Sequence, residues 1–201
     1  SLGPTSKAKY ASFWPRKALR LLANPMPYQL RVHIYQARDL LAADDNGLSD
    51  PYVVVHCCGQ RLKTAVQKET LNPVWYTTLC FDIALPGIHL APQATLQVFD
   101  WDKWTPDDIL GSARLPLTEA FILPTHLEST EIPRGNEPAA SFCDPKWVSL
   151  KVGDGDIKGS VLVSTQLIPK RSFVEEMQDP APLKPEMRDA FVEIIALGCR
   201  G

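Results

Sequence analysis

Leu30-Arg31-Val32-His33-Ile34-Tyr35 leads, by way of Asp39-Leu40, into Asp44-Asp45-Asn46-Gly47-Leu48-Ser49-Asp50 and then Pro51-Tyr52-Val53-Val54-Val55-His56-Cys57. Leu30, Val32 and Ile34 alternate with Arg31, His33 and Tyr35, the period of two expected of a half-buried strand. The reading is therefore strand, acidic loop, strand. It recurs downstream, where Thr95 to Phe99 precede Asp100-Trp101-Asp102-Lys103-Trp104-Thr105-Pro106-Asp107-Asp108 and Ile109 to Leu115 follow. One such cluster would be ordinary turn chemistry, since Asp, Asn, Gly and Ser all favour turns. Two clusters are different, because Asp100 and Asp102 flank an aromatic as the end of a strand would present them. Carboxylates crowded onto loop tips repel one another unless a hard cation neutralises them. Calcium, with about six to eight oxygen ligands in flexible geometry, suits loops best. The helix-loop-helix calcium motif is excluded: with Gly47 at its glycine position, Ala42 falls where the first ligand must be Asp.

Composition narrows the class. The chain has 201 residues, 45% hydrophobic and 22% charged, which suits one soluble globular domain with tails. A net charge of -2 predicts no strong global attraction to nucleic acid or membrane, so any lipid attraction must be local or ion-induced. Eighteen prolines argue against a helix bundle and are compatible with an all-β domain bearing long loops. Cys57, Cys58, Cys80, Cys143 and Cys199 form no C-x-x-C pair, which favours reduced thiols in a cytosolic setting. Cys57 and Cys58 are neighbours in a strand-like run and are expected on opposite faces. His33, His56, His89 and His126 cluster with neither each other nor the cysteines, which makes zinc improbable. No signal peptide and no apolar run of about 18 residues is visible. A chain that opens on Ser1 is expected to be a piece of something longer.

Strands are expected at Leu30–Tyr35, Pro51–Cys57, Arg61–Val66, Trp75–Ile83, Thr95–Asp100, Leu110–Leu117, Lys146–Val152 and Ser160–Ile168. With no convincing long helix, the fold class is all-β, an eight-stranded antiparallel sandwich. Gly153-Asp154-Gly155-Asp156 reads as a hairpin turn rather than a third acidic site. Insertions fall at about 85–93 and 118–145. The domain itself spans 28–170. Residues 1–27 form a basic, aromatic arm with Lys7, Lys9, Arg16, Lys17 and Arg20 among Tyr10, Phe13 and Trp14. Such an arm is either a solvated linker, the favoured reading, or a segment lying on anionic lipid. Residues 171–189 form a proline-rich linker, and 190–201 the start of a strand belonging to a following domain.

Five landmarks occur in the order found in C2 domains. They are Gln36-Ala37-Arg38-Asp39-Leu40, Asp44 through Tyr52, Thr70-Leu71-Asn72-Pro73 with Trp75, Asp100-Trp101-Asp102, and Asp108 three residues before Gly111. Residues 28–170 therefore resemble a C2 domain. Because the first strand leads directly into the first acidic loop, the strand order resembles the type II permutation. More closely, Met26 to Leu40 resembles the opening of a central C2 domain of ferlins, and Leu183 to Arg200 is similar to the linker and first strand that follow it there. The resemblance implies that Asp44, Asp50, Asp100, Asp102 and Asp108 ligate calcium. Main-chain carbonyls of Ala43 and Trp101 join them, and Thr105 is a further candidate. Five carboxylates exceed the charge of one calcium, so about two or three ions are implied.

Ferlins are tail-anchored proteins of calcium-triggered membrane fusion, exocytosis and repair. The implied partners are therefore anionic phospholipids at the cytoplasmic face of a plasma or vesicle membrane, with other domains of the parent chain or fusion proteins as further partners. Nucleic acid is not implied. Trp104, Pro106 and Leu48 would meet the membrane at the loop tips, unless Trp104 folds back onto the sandwich. Asp45 occupies a tip position that is often apolar in lipid binders; it either weakens insertion of that loop or adds a ligand. Arg61 and Lys63, with Lys68, form either a headgroup patch or a solvated face. Two rivals remain. Catalysis is disfavoured, because Trp104 spoils the D-x-D-x-T/V nucleophile pattern and G-x-S-x-G, H-E-x-x-H and a phosphate loop are all missing. The other rival is a calcium-independent protein-interaction domain.

Overall fold

The computed structural model describes residues 25–44, 46–86, 92–122, 144–153 and 155–184. Residues 1–24 of the expected arm, most of both insertions, Asp45, and the run 185–201 with its expected strand lie outside the described residues. Within them, all eight expected strands form: β1 (Met26–Arg38), β2 (Pro51–Cys57), β3 (Gln60–Lys63), β4 (Val74–Leu85), β5 (Gln93–Asp100), β6 (Ile109–Pro116), β8 (Lys146–Val152) and β9 (Asp156–Pro169). A two-residue strand, β7 (Phe121–Ile122), adds a parallel pairing to β9.

The strands hydrogen-bond in the order β3-β2-β5-β6-β8-β9-β1-β4. Between β6 and β8 only Ser112 and Lys151 are in register, so the sheet folds there into two four-stranded layers. Gly111 permits the fold: a Cβ on it would lie 2.8 Å from the Leu150 Cβ. Leu30, Val32 and Ile34 of β1, Phe81 of β4, Val53 and Val55 of β2 and Leu96 and Val98 of β5 fill the space between the layers. β9 pairs with β1, and β1 opens straight into the first acidic loop, the strand order that the type II resemblance implies.

Three expectations need correction. β3 stops at Lys63 rather than Val66, because Thr64 leaves the ladder: its hydroxyl accepts the Val53 N–H at 3.0 Å and donates to the Ala65 carbonyl. Cys57 and Cys58 do not face apart. Cys58 and Gly59 take φ values of 48° and 79° in a two-residue hairpin, which brings the two sulfurs to 3.7 Å. β1 is not half-solvated either: Gln29 and His33 are buried, and the His33 Nδ1 lies 2.9 Å from the Thr78 hydroxyl. β1 sits between β4 and β9, and the chain after β9 turns back toward it. Lys170 donates its N–H to the Pro27 carbonyl at 2.9 Å, and the Arg31 guanidinium donates to the Gln178 carbonyl.

Candidate metal centre

Register places the two acidic loops side by side. Pro51 at the start of β2 pairs with Asp100 at the end of β5, so residues 39–50 and 101–108 leave the sheet at the same end. A third loop, 64–73, joins them through the Gln67 N–H on the Pro51 carbonyl (2.9 Å) and the Thr70 N–H on the Ser49 carbonyl (2.8 Å).

The first loop is built by local hydrogen bonds. Asn46 Oδ1 accepts the Leu48 N–H at 2.8 Å, and Gly47 supplies a φ of 77°. The Leu48 carbonyl accepts the N–H groups of Ala43 and Asp44 at 3.2 and 3.1 Å. Buried Ser49 closes the base, donating its hydroxyl to the Leu41 carbonyl and accepting the Ala43 N–H. In the second loop the Asp100 N–H reaches the Asp108 carbonyl at 2.8 Å, and the Trp101 N–H reaches the Asp50 carbonyl at 3.1 Å.

Asp100 is the centre of the arrangement. It is 1% exposed, and its Oδ1 accepts the Asp50 N–H at 2.6 Å. Burial pushes its carboxyl above the usual range against the pull of that N–H, and the charges of Asp44, Asp102 and Asp50 add to the rise. Asp100 therefore feels the charges of three other expected ligands. Asp108 is exposed and contributes its main chain to the loop. Among the described residues, no three His, Cys, Asp or Glu side chains are gathered closely enough to hold an ion as they stand. Unneutralised carboxylates repel, and Asp50 is already engaged: its Oδ2 lies 2.6 Å from Lys68 Nζ and its Oδ1 accepts the Glu69 N–H at 2.7 Å. Burial works against its ionisation, but Lys68 and Glu69 prevail and hold it below the usual carboxylate range. The donor set of carboxylates and carbonyls fits calcium, and the Lys68 ammonium already stands in for a cation at its edge.

Trp104 is 87% exposed at the loop tip, with Lys103 Nζ 4.8 Å from its ring centroid; Pro106 and Ile109 are exposed nearby. Leu48 is half-buried. Arg61 and Lys63 are exposed on β3, Lys63 over the Tyr52 ring at 5.4 Å, while Lys68 leaves them for the acidic end. Two side chains beyond the expected set shape the site. Asp107 accepts the Tyr52 hydroxyl at 2.5 Å and the Asp102 N–H at 3.1 Å, so it folds the second loop. Lys68 neutralises Asp50. Adjacent acids at 107 and 108 hinted at two roles, whereas nothing in the sequence joins Lys68 to Asp50.

The C2 domain family model matches residues 28–134. The chain belongs to the C2 domain family. It is 32% identical to mouse Fer-1-like protein 4 over 87% of its length, covering 9% of that protein, and 30% identical to mouse myoferlin over 86% of its length, again covering 9%. Thus it spans only a small part of these relatives, and it is similar to a segment of each of the two. Its fold is similar to a solved calcium-bound structure of extended synaptotagmin 2 that comprises two C2 domains, A and B. The identity is 25% and the TM-score 0.50, covering 71% of this chain and 46% of that one.

Proposed function

We propose that this C2 domain is a calcium-dependent phospholipid-binding module, without catalysis of its own, in a ferlin-like protein of membrane fusion or repair. It would act at the cytoplasmic face of a plasma or vesicle membrane. The observation that carries the reading is buried Asp100, held among Asp44, Asp50 and Asp102 beneath a loop whose tip exposes Trp104. Asp44, Asp50, Asp100, Asp102 and Asp108 would hold calcium, with the carbonyls of Ala43 and Trp101. Bound calcium supplies positive charge at an acidic apex and so attracts anionic headgroups. The chain's own part is to present the oxygens on two loops fixed by β2–β5 pairing, and to offer Trp104 and Pro106 to the interface, where Trp partitions well. A relative's calcium-bound structure supports the choice of ion. The Lys68–Asp50 pair favours a second reading, a calcium-independent protein-interaction domain in which one acid of the first loop is internally neutralised.

A calorimetric calcium titration, alone and with phosphatidylserine vesicles, separates the two. The first reading expects binding that tightens with vesicles and is abolished by Asp100→Asn, with calcium-free stability unchanged or raised because a repelling charge is removed. No heat of binding and no calcium-dependent vesicle association would leave the second reading in place. A large loss of calcium-free stability in Asp100→Asn would make the carboxylate structural.

A further inference from the structure

Lys68 reaches the acidic end through an unusual backbone turn. Glu69, the next residue, adopts a φ of 51°, a left-handed conformation uncommon for a residue such as Glu. That turn aims the Glu69 N–H at Asp50 Oδ1 while the Lys68 ammonium meets Oδ2. The same ammonium lies 3.6 Å from the centroid of the Trp101 ring, and the Trp101 N–H is bonded to the Asp50 carbonyl. A lysine clamped between one carboxylate and one indole is positioned far more closely than a solvated surface cation. Both oxygens of Asp50 have partners, and Asp50 is an expected calcium ligand.

We propose that Lys68 is a tethered counter-ion of the calcium site, which holds Asp50 in the calcium-free protein and must be displaced before Asp50 can ligate. The proposal rests on the calcium reading above. Calcium needs bare oxygen at about 2.3–2.6 Å. An ammonium 2.6 Å from Oδ2 occupies that approach, and the two cations repel if both remain. Lys68 therefore raises the calcium concentration at which the site fills. The side chain of Lys68 is 55% exposed and that of Asp50 15%, so solvent screens the pair and its effect is modest.

The test compares calcium affinity of the folded chain with that of Lys68→Met, which keeps an unbranched apolar stem but removes the charge, and Lys68→Arg, which keeps the charge. Lys68→Met should bind calcium about fivefold more tightly, with a gain that shrinks as salt is added. Lys68→Arg should bind no more tightly than the unaltered chain. Acylation of lysines by an amine-reactive ester gives a second measure: modification of Lys68 should quicken severalfold on adding calcium, with Lys63 unchanged. Calcium binding by Lys68→Met alone also supports the proposal. Binding by the unaltered chain with no gain in Lys68→Met, or calcium-independent acylation of Lys68, overturns it and leaves the calcium reading standing. Binding by neither folded protein overturns both.

Discussion

The hydroxyl of Tyr52 anchors the second acidic loop to the sheet. Tyr52 is buried and stacks on Phe99 with ring centroids 5.6 Å apart, so its hydroxyl is fixed where Asp107 receives it. Burial, then the Asp107 carboxylate, pushes the phenol up to about 12. In return the hydroxyl, helped by the Asp102 N–H, holds Asp107 below the usual carboxylate range. The signs differ. The Tyr52 contribution is whole below the ordinary phenol value of about 10 and is lost as pH rises through about 12. The Asp107 contribution is present above the ordinary carboxyl value and is lost as pH falls. Tyr52→Phe should therefore cost about 1.5 kcal/mol at neutral pH in urea unfolding. It should also flatten the decline in stability between pH of about 10 and about 12. An unchanged urea midpoint and an unchanged alkaline limb would show that the contact contributes nothing.

At the scale of elements, the close approach of β9 to the end of β1 sets where the first acidic loop begins. Gly159 has a φ of 70°, and a Cβ there would lie 2.7 Å from the Asp39 carbonyl oxygen and 2.9 Å from that of Arg38. Asp39 itself turns with a φ of 56°. Gly159→Ala should cost about 2 kcal/mol in thermal or urea unfolding. Gly155→Ala is the control: its φ of 112° is also unfavourable, but nothing lies within 4 Å, so only the conformational part of the cost applies. Equal losses in the two variants would mean that β9 does not press on Asp39. Pro51–Cys57 and Lys146–Val152 form over the expected residues because turn formers bound both runs tightly. β7 leaves no pattern, since two residues of parallel pairing have no period. β3 ends sooner than its pattern suggests because Thr64 and Val66 look like strand residues, whereas a hydroxyl bonded to Val53 takes the chain elsewhere. The acids were legible because Asp between strands has local meaning. Lys68 was not, because the course of a loop 18 residues from Asp50 delivers it.

For the whole molecule, a net charge of -2 and an apex rich in carboxylates oppose an anionic surface, so attraction must be switched on at one end. Under the proposed function two contributions then act together there: calcium attracts headgroups through charge, and Trp104 enters the interface through apolar area. Trp104 is suited to this because it is 87% exposed, and it supplies no carboxylate or carbonyl to the expected ligand set. Trp104→Ala should leave calcium affinity without lipid nearly unchanged. It should weaken association with phosphatidylserine vesicles about tenfold, which is within what burying much of an indole at about 25 cal/mol per Å² provides. Salt separates the two contributions, because headgroup attraction is screened within about 10 Å at 0.1 M while apolar burial is not. Vesicle binding by Trp104→Ala should therefore fall more steeply with added salt than binding by the unaltered chain. Parallel salt curves of equal affinity would mean that Trp104 stays in water, and that charge alone holds the domain to the membrane.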